Sequence, residues 1–287
     1  MAETKSSDLS IDVGRVIAER LPRHSRYIPR AVIKWLERFI RQDRMNELLR
    51  ATAGLRGADF CRGVLEHLGI TYHVEHEELL PKAGDTTPDG TDARRVVIVS
   101  NHPLGGLDGM VLIDMLARHT SMTPRFVVND LLMAVKPLDN VFLPVNKHGR
   151  QGRDEAEALD RAFDSDVPIV VFPAGMVSRK GSDGRVADLR WHKMIVNRCI
   201  RHQRDVIPLY FSGSNSSFFY NFARLRTRLG LKFNLEMLQL PAEIFRAEKS
   251  HFTLVAGPRV SWRQLQGGSG ADEQAAELRQ TVYNLSH

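Results

Sequence analysis

The residues best suited to chemistry lie together in Ser100-Asn-His-Pro-Leu-Gly-Gly-Leu-Asp-Gly109. His102 is a side chain able to take up a proton near neutral pH. Asp108, a few residues on, can accept the Nδ1–H of its imidazole and leave Nε2 as a base. Pro103 biases His102 to extended geometry. Gly105 and Gly106 allow unusual backbone angles and let a substrate approach the main chain. Such a pair suits direct deprotonation of a substrate hydroxyl or amine. Taken singly, Asp108 before Gly-Met-Val-Leu-Ile also reads as a helix N-cap, and His102 as a structural histidine at a strand end. The combination of residues, rather than either alone, points to a catalytic site.

The surrounding pattern says what must hold this pair. Arg95–Ser100, Arg125–Asn129, Val141–Val145, Val167–Phe172 and Val206–Phe211 are short β-branched runs, and helical patterns lie near 109–119, 151–164 and 188–203. Strands alternating with helices predict an α/β fold with a mixed, largely parallel central sheet flanked by helices. Ligands of such sheets bind at the carboxyl ends of strands, which is where His102 falls. Thr71–Glu75 reads as an edge strand, 252–256 as a further strand, and 217–229 and 271–285 as helices. Ahead of them, Ile28, Val32, Trp35, Leu36 and Phe39 form the apolar stripe of an amphipathic helix over 28–40. Helices are also expected over 43–53 and 60–68. The expected division is an N-terminal basic helical segment, 1–70, and an α/β domain, 71–287.

With these elements in place, the string resembles the Asn-His-x-x-x-x-Asp signature of the glycerolipid acyltransferases related to bacterial lysophosphatidic acid acyltransferase. Leu143-Pro-Val-Asn-Lys-His-Gly-Arg150 is similar to the family's second block, Phe172-Pro-Ala-Gly-Met-Val-Ser178 to the third, and Val206-Ile-Pro-Leu-Tyr210 to the fourth. The Gly-Gly extension and Phe211-Ser-Gly-Ser-Asn-Ser-Ser-Phe-Phe-Tyr220 resemble the haemolysin-like branch, which includes O-acyltransferases of ornithine and glycine lipids. The resemblance implies transfer of a fatty acyl group from acyl carrier protein or coenzyme A to a lipid hydroxyl, without metal or bound cofactor. It makes His102 the base and Asp108 its orienting partner, and places Asn101, Gly105, Gly106, Arg150, Phe172, Pro173, Gly175, Ser178, Arg179 and Lys180 at the substrate. Amides at Gly105–Gly106 or around Gly175 would stabilise the oxyanion. Two departures stand out. Five residues, not four, separate His102 from Asp108, and Ala174 and Val177 occupy the third block's Glu and Arg positions. Loss of those charges favours a lyso-aminolipid acceptor over a glycerol phosphate, unless Arg150, Arg179 or Lys180 compensates.

Charge placement fits an anionic partner. Residues 14–50 hold ten Arg or Lys against four acids, and residues 176–204 hold eight against Asp183 and Asp188. The first zone flanks the Trp35 stripe, so this helix is expected either to lie on an anionic membrane surface or to pack its stripe on the core. The second would meet the acidic, phosphate-bearing acyl donor or form a solvated helix face. No nucleic-acid-binding module accompanies the charge, no G-x-S-x-G elbow is present, and no H-E-x-x-H ligand spacing occurs. The rival reading is a non-catalytic lipid-surface protein on the same fold. No apolar run approaches the roughly 18–20 residues of a membrane span, and residues 1–15 lack a secretory signal. The expected location is the cytoplasm, peripherally on the inner face of the membrane. Cys61 and Cys199, the only cysteines, read as reduced structural thiols.

Overall fold

The computed structural model describes residues 10–20, 27–129, 132–133, 135–145, 153–230 and 234–286. Helices α1 (Val13–Arg20), α2 (Arg30–Phe39), α3 (Gln42–Ala51) and α4 (Gly57–His67) lead into strand β1 (Thr71–Glu75). Then follow β2 (Val96–Ser100), α5 (Gly106–Thr120), β3 (Arg125–Asn129), β4 (Phe142–Val145), α6 (Arg153–Asp164) and β5 (Ile169–Val171). A small hairpin, β6 (Arg179–Lys180) and β7 (Val186–Ala187), precedes α7 (Met194–Arg201) and β8 (Asp205–Phe211). The chain continues through α8 (Ser217–Arg228), α9 (Leu240–Arg246), β9 (His251–Ala256) and α10 (Ala271–Asn284).

The β-branched run Val96–Ser100 is buried at every residue, as a strand covered on both faces requires. It lies at the middle of a seven-stranded sheet ordered β1-β9-β8-β2-β5-β3-β4, in which only β8 and β9 run antiparallel. The expected mixed, largely parallel sheet is therefore what forms. Alternation along β2 divides the core: Val96 and Ile98 pack with α4, α5 and α9, while Val97 and Val99 pack with α6, α7 and α10. Cys61 is buried in the first layer and Cys199 in the second; both are free, and burial pushes both thiols well above their usual range. Arg204, fully buried, donates to the carbonyls of Phe163, Val96, Val167, Ala162 and Ser165, so one guanidinium ties α6 and its following loop to β2.

Two expectations need correction. Phe60, Val64, Leu65 and Leu68 share one core with Ile98 and Val111, so a boundary near residue 70 would cut through packed side chains. The helix read over 188–203 begins only at Met194, because Asp188 and His192 are tied to the loop beside the site. By contrast, α2 buries no residue at all, and Trp35 is 57% exposed. Its stripe is not packed on the α/β core.

Candidate active site

Because β5, β2 and β8 are parallel neighbours, their carboxyl ends deliver His102, the Phe172–Ser178 loop and the Ser212–Ser216 loop to one edge of the sheet. His102 is fixed through its main chain before its side chain is considered. Its N–H donates to Asp188 Oδ1 at 3.1 Å, and its carbonyl accepts the Ser178 N–H at 2.8 Å. The imidazole stacks on Phe172, with ring centroids 3.9 Å apart and planes 20° from parallel. Its Nδ1 meets Asp108 Oδ2 at 3.0 Å. The Asp108 carboxylate also accepts main-chain N–H groups on both oxygens, from Leu104 at 2.8 Å and from Gly109 at 2.8 Å. Oxygens already turned to donors hold Nδ1 as a further donor, leaving the imidazole's basic edge at Nε2. Asp108 is fully buried and the His102 side chain 15% exposed, so the pair is nearly dry with one side open.

The fifth intervening residue is absorbed by the turn. Gly105 adopts φ 82°, ψ −112° as the residue before α5, and a Cβ there would lie 2.9 Å from both δ carbons of Leu240. Only glycine fits those angles and that contact. Gly106 is different: it is exposed, and a Cβ would meet Ile244 at an ordinary 3.9 Å. Asp108 therefore sits within the first turn of α5 rather than at its N-cap.

Other expected site residues are distributed differently. Asn101 is buried and closes both its amide groups on Phe211, donating to the carbonyl at 2.9 Å and accepting the N–H at 2.7 Å. It fastens β2 to the end of β8. Ser178 donates its hydroxyl to Asp188 Oδ1 at 2.6 Å. Arg179 donates to fully buried Glu236 at 2.9 Å and lies over the Phe219 ring, while burial lowers its pKa. Lys180 stands beside it on the β6–β7 hairpin. Phe172, Pro173 and Ala174 are buried, whereas Gly175 is exposed, with its N–H returned to the Phe172 carbonyl at 2.8 Å. Val177 is buried against Phe219 and Tyr220. Arg150 lies outside the described residues. In the second basic zone, Arg190 and Lys193 pair with Asp272, and Arg198 and Arg201 with Asp160, so that zone is not a bare positive surface.

An acyltransferase family model matches residues 15–287. The chain belongs to that acyltransferase family. It is 36% identical over 282 residues to the lyso-glycine lipid O-acyltransferase of Bacteroides thetaiotaomicron, covering 98% of this chain and 100% of the relative. It is equally 36% identical to the protein of the same name from Phocaeicola vulgatus, covering 98% and 97%. Among solved structures, the 1-acyl-sn-glycerophosphate acyltransferase PlsC of Thermotoga maritima aligns with 88% of this chain and 94% of its own, at 15% identity and a TM-score of 0.44.

One residue of this acyltransferase went unnoticed in the sequence. Buried Asp188 gathers the His102 N–H, the Ser178 hydroxyl and, through Oδ2 at 2.9 Å, the Trp191 indole N–H. Its own N–H and carbonyl are held on α10, by the Tyr283 hydroxyl at 2.7 Å and by Arg279 at 2.8 Å. Asp188 thus fastens the His102 loop against α10. It stands 86 residues from His102, where no local spacing signals it.

Proposed function

We propose that this acyltransferase moves a fatty acyl group from an acyl carrier protein or coenzyme A thioester to the hydroxyl of a lyso-aminolipid at an anionic membrane surface. The observation that carries it is the His102–Asp108 pair at 3.0 Å, stacked on Phe172 and open on one side. The acceptor hydroxyl loses its proton to His102 Nε2 as its oxygen attacks the thioester carbonyl. The tetrahedral intermediate collapses with cleavage of the carbon–sulfur bond, and the imidazolium returns the proton to the departing thiolate, giving ester and free thiol. Asp108 holds the imidazole in the required tautomer and stabilises the imidazolium. Amides of the Gly105–Gly106 turn open α5, where first-turn N–H groups lack helical acceptors, and they suit the oxyanion better than Gly175, whose N–H closes its own turn.

Three features favour an acceptor without a phosphate. Ala174 and Val177 are buried and uncharged where the family carries Glu and Arg, Arg179 is held by Glu236, and the curated relatives are named for a lyso-glycine lipid. The test is a competition in which purified protein receives lyso-glycine lipid, lyso-ornithine lipid and lysophosphatidic acid together, with each thioester donor, and products are read by mass spectrometry. The aminolipid products should dominate. Preference for lysophosphatidic acid would refute the acceptor assignment, and no ester product from any acceptor would refute the reaction.

A further inference from the structure

Helix α8 has a bare apolar face. Phe219, Tyr220 and Ala223 point into the protein, but Phe218, Leu225 and Leu229 at its end are 50%, 54% and 65% exposed. With half-buried Phe222, which stacks on Phe218 at 5.9 Å, they follow the i, i+4, i+7, i+11 spacing of a single stripe. Exposed Arg224 and Arg228 lie beside it, and the helix contains no acidic residue. The stripe runs about 18 Å along the helix. A bare stripe with basic residues on its flank is the form of a helix that lies in a membrane interface, apolar side in the acyl boundary and arginines among anionic head groups.

Its position ties it to the site. Ser216 caps α8 with its side chain on the Phe219 N–H, and the preceding Asn215 donates its amide to the Pro103 carbonyl at 3.0 Å, one residue from His102. The stripe therefore starts next to the catalytic loop. We infer that α8 docks on an anionic bilayer through Phe218, Phe222, Leu225 and Leu229, seating the site mouth where a lyso-lipid leaves the membrane. The inference rests on the reading that the acceptor is a membrane lipid. A bilayer suits this face better than an acidic carrier protein, because the apolar residues are the outermost and the arginines lie to one side.

The test uses the full chain with vesicles of phosphatidylcholine and phosphatidylglycerol. A triple variant, Phe218→Gln, Leu225→Gln and Leu229→Gln, keeps good helix formers on the solvent side. Its vesicle partition coefficient should fall at least about tenfold, since contributions of patches that touch lipid together add in free energy. A second variant, Arg224→Glu with Arg228→Glu, should bind these vesicles several-fold more weakly while keeping its binding to neutral phosphatidylcholine. Turnover of acceptor embedded in vesicles should fall with binding, whereas turnover of a short-chain acceptor dissolved as monomers should not change. An unchanged partition coefficient in the triple variant overturns the proposal. So does selective loss of turnover with acyl carrier protein as donor and dissolved acceptor, which would assign the stripe to the carrier. A wild-type protein that binds vesicles through α8 yet acylates neither acceptor would refute the acyl-transfer reading and leave the docking surface standing.

Discussion

Asp108→Asn changes charge and hydrogen-bonding capacity with almost no change in shape. Three donors converge on the wild-type carboxylate: Leu104 N–H and His102 Nδ1–H on Oδ2, and Gly109 N–H on Oδ1. Asparagine offers one oxygen. Turned towards His102, it leaves its NH2 against the Gly109 N–H; turned away, it sets NH2 against Leu104 and His102 and drives the ring into the tautomer with its proton on Nε2, useless as a base. Either orientation strands at least one buried donor, costing about 1–3 kcal/mol. At about 2–4 °C per kcal/mol for a domain of this size, Tm should drop by roughly 2–12 °C. The kinetic loss is larger. Removing a carboxylate 3.0 Å from a developing imidazolium forfeits about 5 kcal/mol at an effective dielectric near 20. That corresponds to roughly three to four decades of rate, at the upper end of the about 100- to 10,000-fold range for a positioned general base. The assay is transfer of radiolabelled acyl groups at saturating thioester, beside thermal unfolding of the same samples. His102→Ala should lose a similar factor, and the double variant far less than the product of the two, as for groups acting as a unit. Near-wild-type turnover in a folded Asp108→Asn protein would show that the pair is not the catalytic base.

Gly105→Ala should disturb the same loop from beneath, because the new Cβ meets Leu240 at 2.9 Å and φ of 82° disfavours it, at a cost of about 1–3 kcal/mol. Adding Leu240→Ala relieves the contact but not the dihedral, so turnover should recover only in part; wild-type Tm and turnover in Gly105→Ala would refute the strain. At the other end of the chain, the α2 stripe, with Val32 and Trp35 exposed, and its basic flank predict co-sedimentation with anionic vesicles that weakens at high salt and is reduced by Trp35→Ser. Equal, negligible pelleting at low and high salt would remove α2 from the membrane.

What the sequence made legible follows from physics of different range. The runs Val96–Ser100 and Val206–Phe211 announce themselves because a strand buried on both faces needs a nearly continuous apolar run. His102 and Asp108 are near neighbours whose pairing a local turn can arrange. Helix α9 escaped notice because Leu-Pro-Ala-Glu-Ile-Phe-Arg spans only seven residues, too few to show a period. Asp188 and Glu236 carry no such signal: His102 and Arg179, which they hold, lie 86 and 57 residues away, and an acid destined for burial looks like any surface acid until the fold closes over it. Asn101 shows a further kind of role, a polar side chain in a motif whose amide fastens the strand end.

The pairing of β1 with β9 bears on how the chain is made. Thr71 aligns with His251, so β1 emerges from the ribosome about 180 residues before its partner. At about 5–20 residues per second, that is a wait of roughly 9–36 s. Strand β2 waits too, because β5 and β8 on its two sides both come later. Nearby α4 and α5 can shelter Val96 and Ile98 early, but Val97 and Val99 stay uncovered until α6 and α7 are synthesised. During that interval the nascent chain presents a bare β-branched strand, the kind of segment that chaperones hold and that neighbouring ribosomes' products can capture. Truncation before His251 would leave β1 permanently without its strand partner, so damage at the C-terminal end is felt at the N-terminal edge of the sheet.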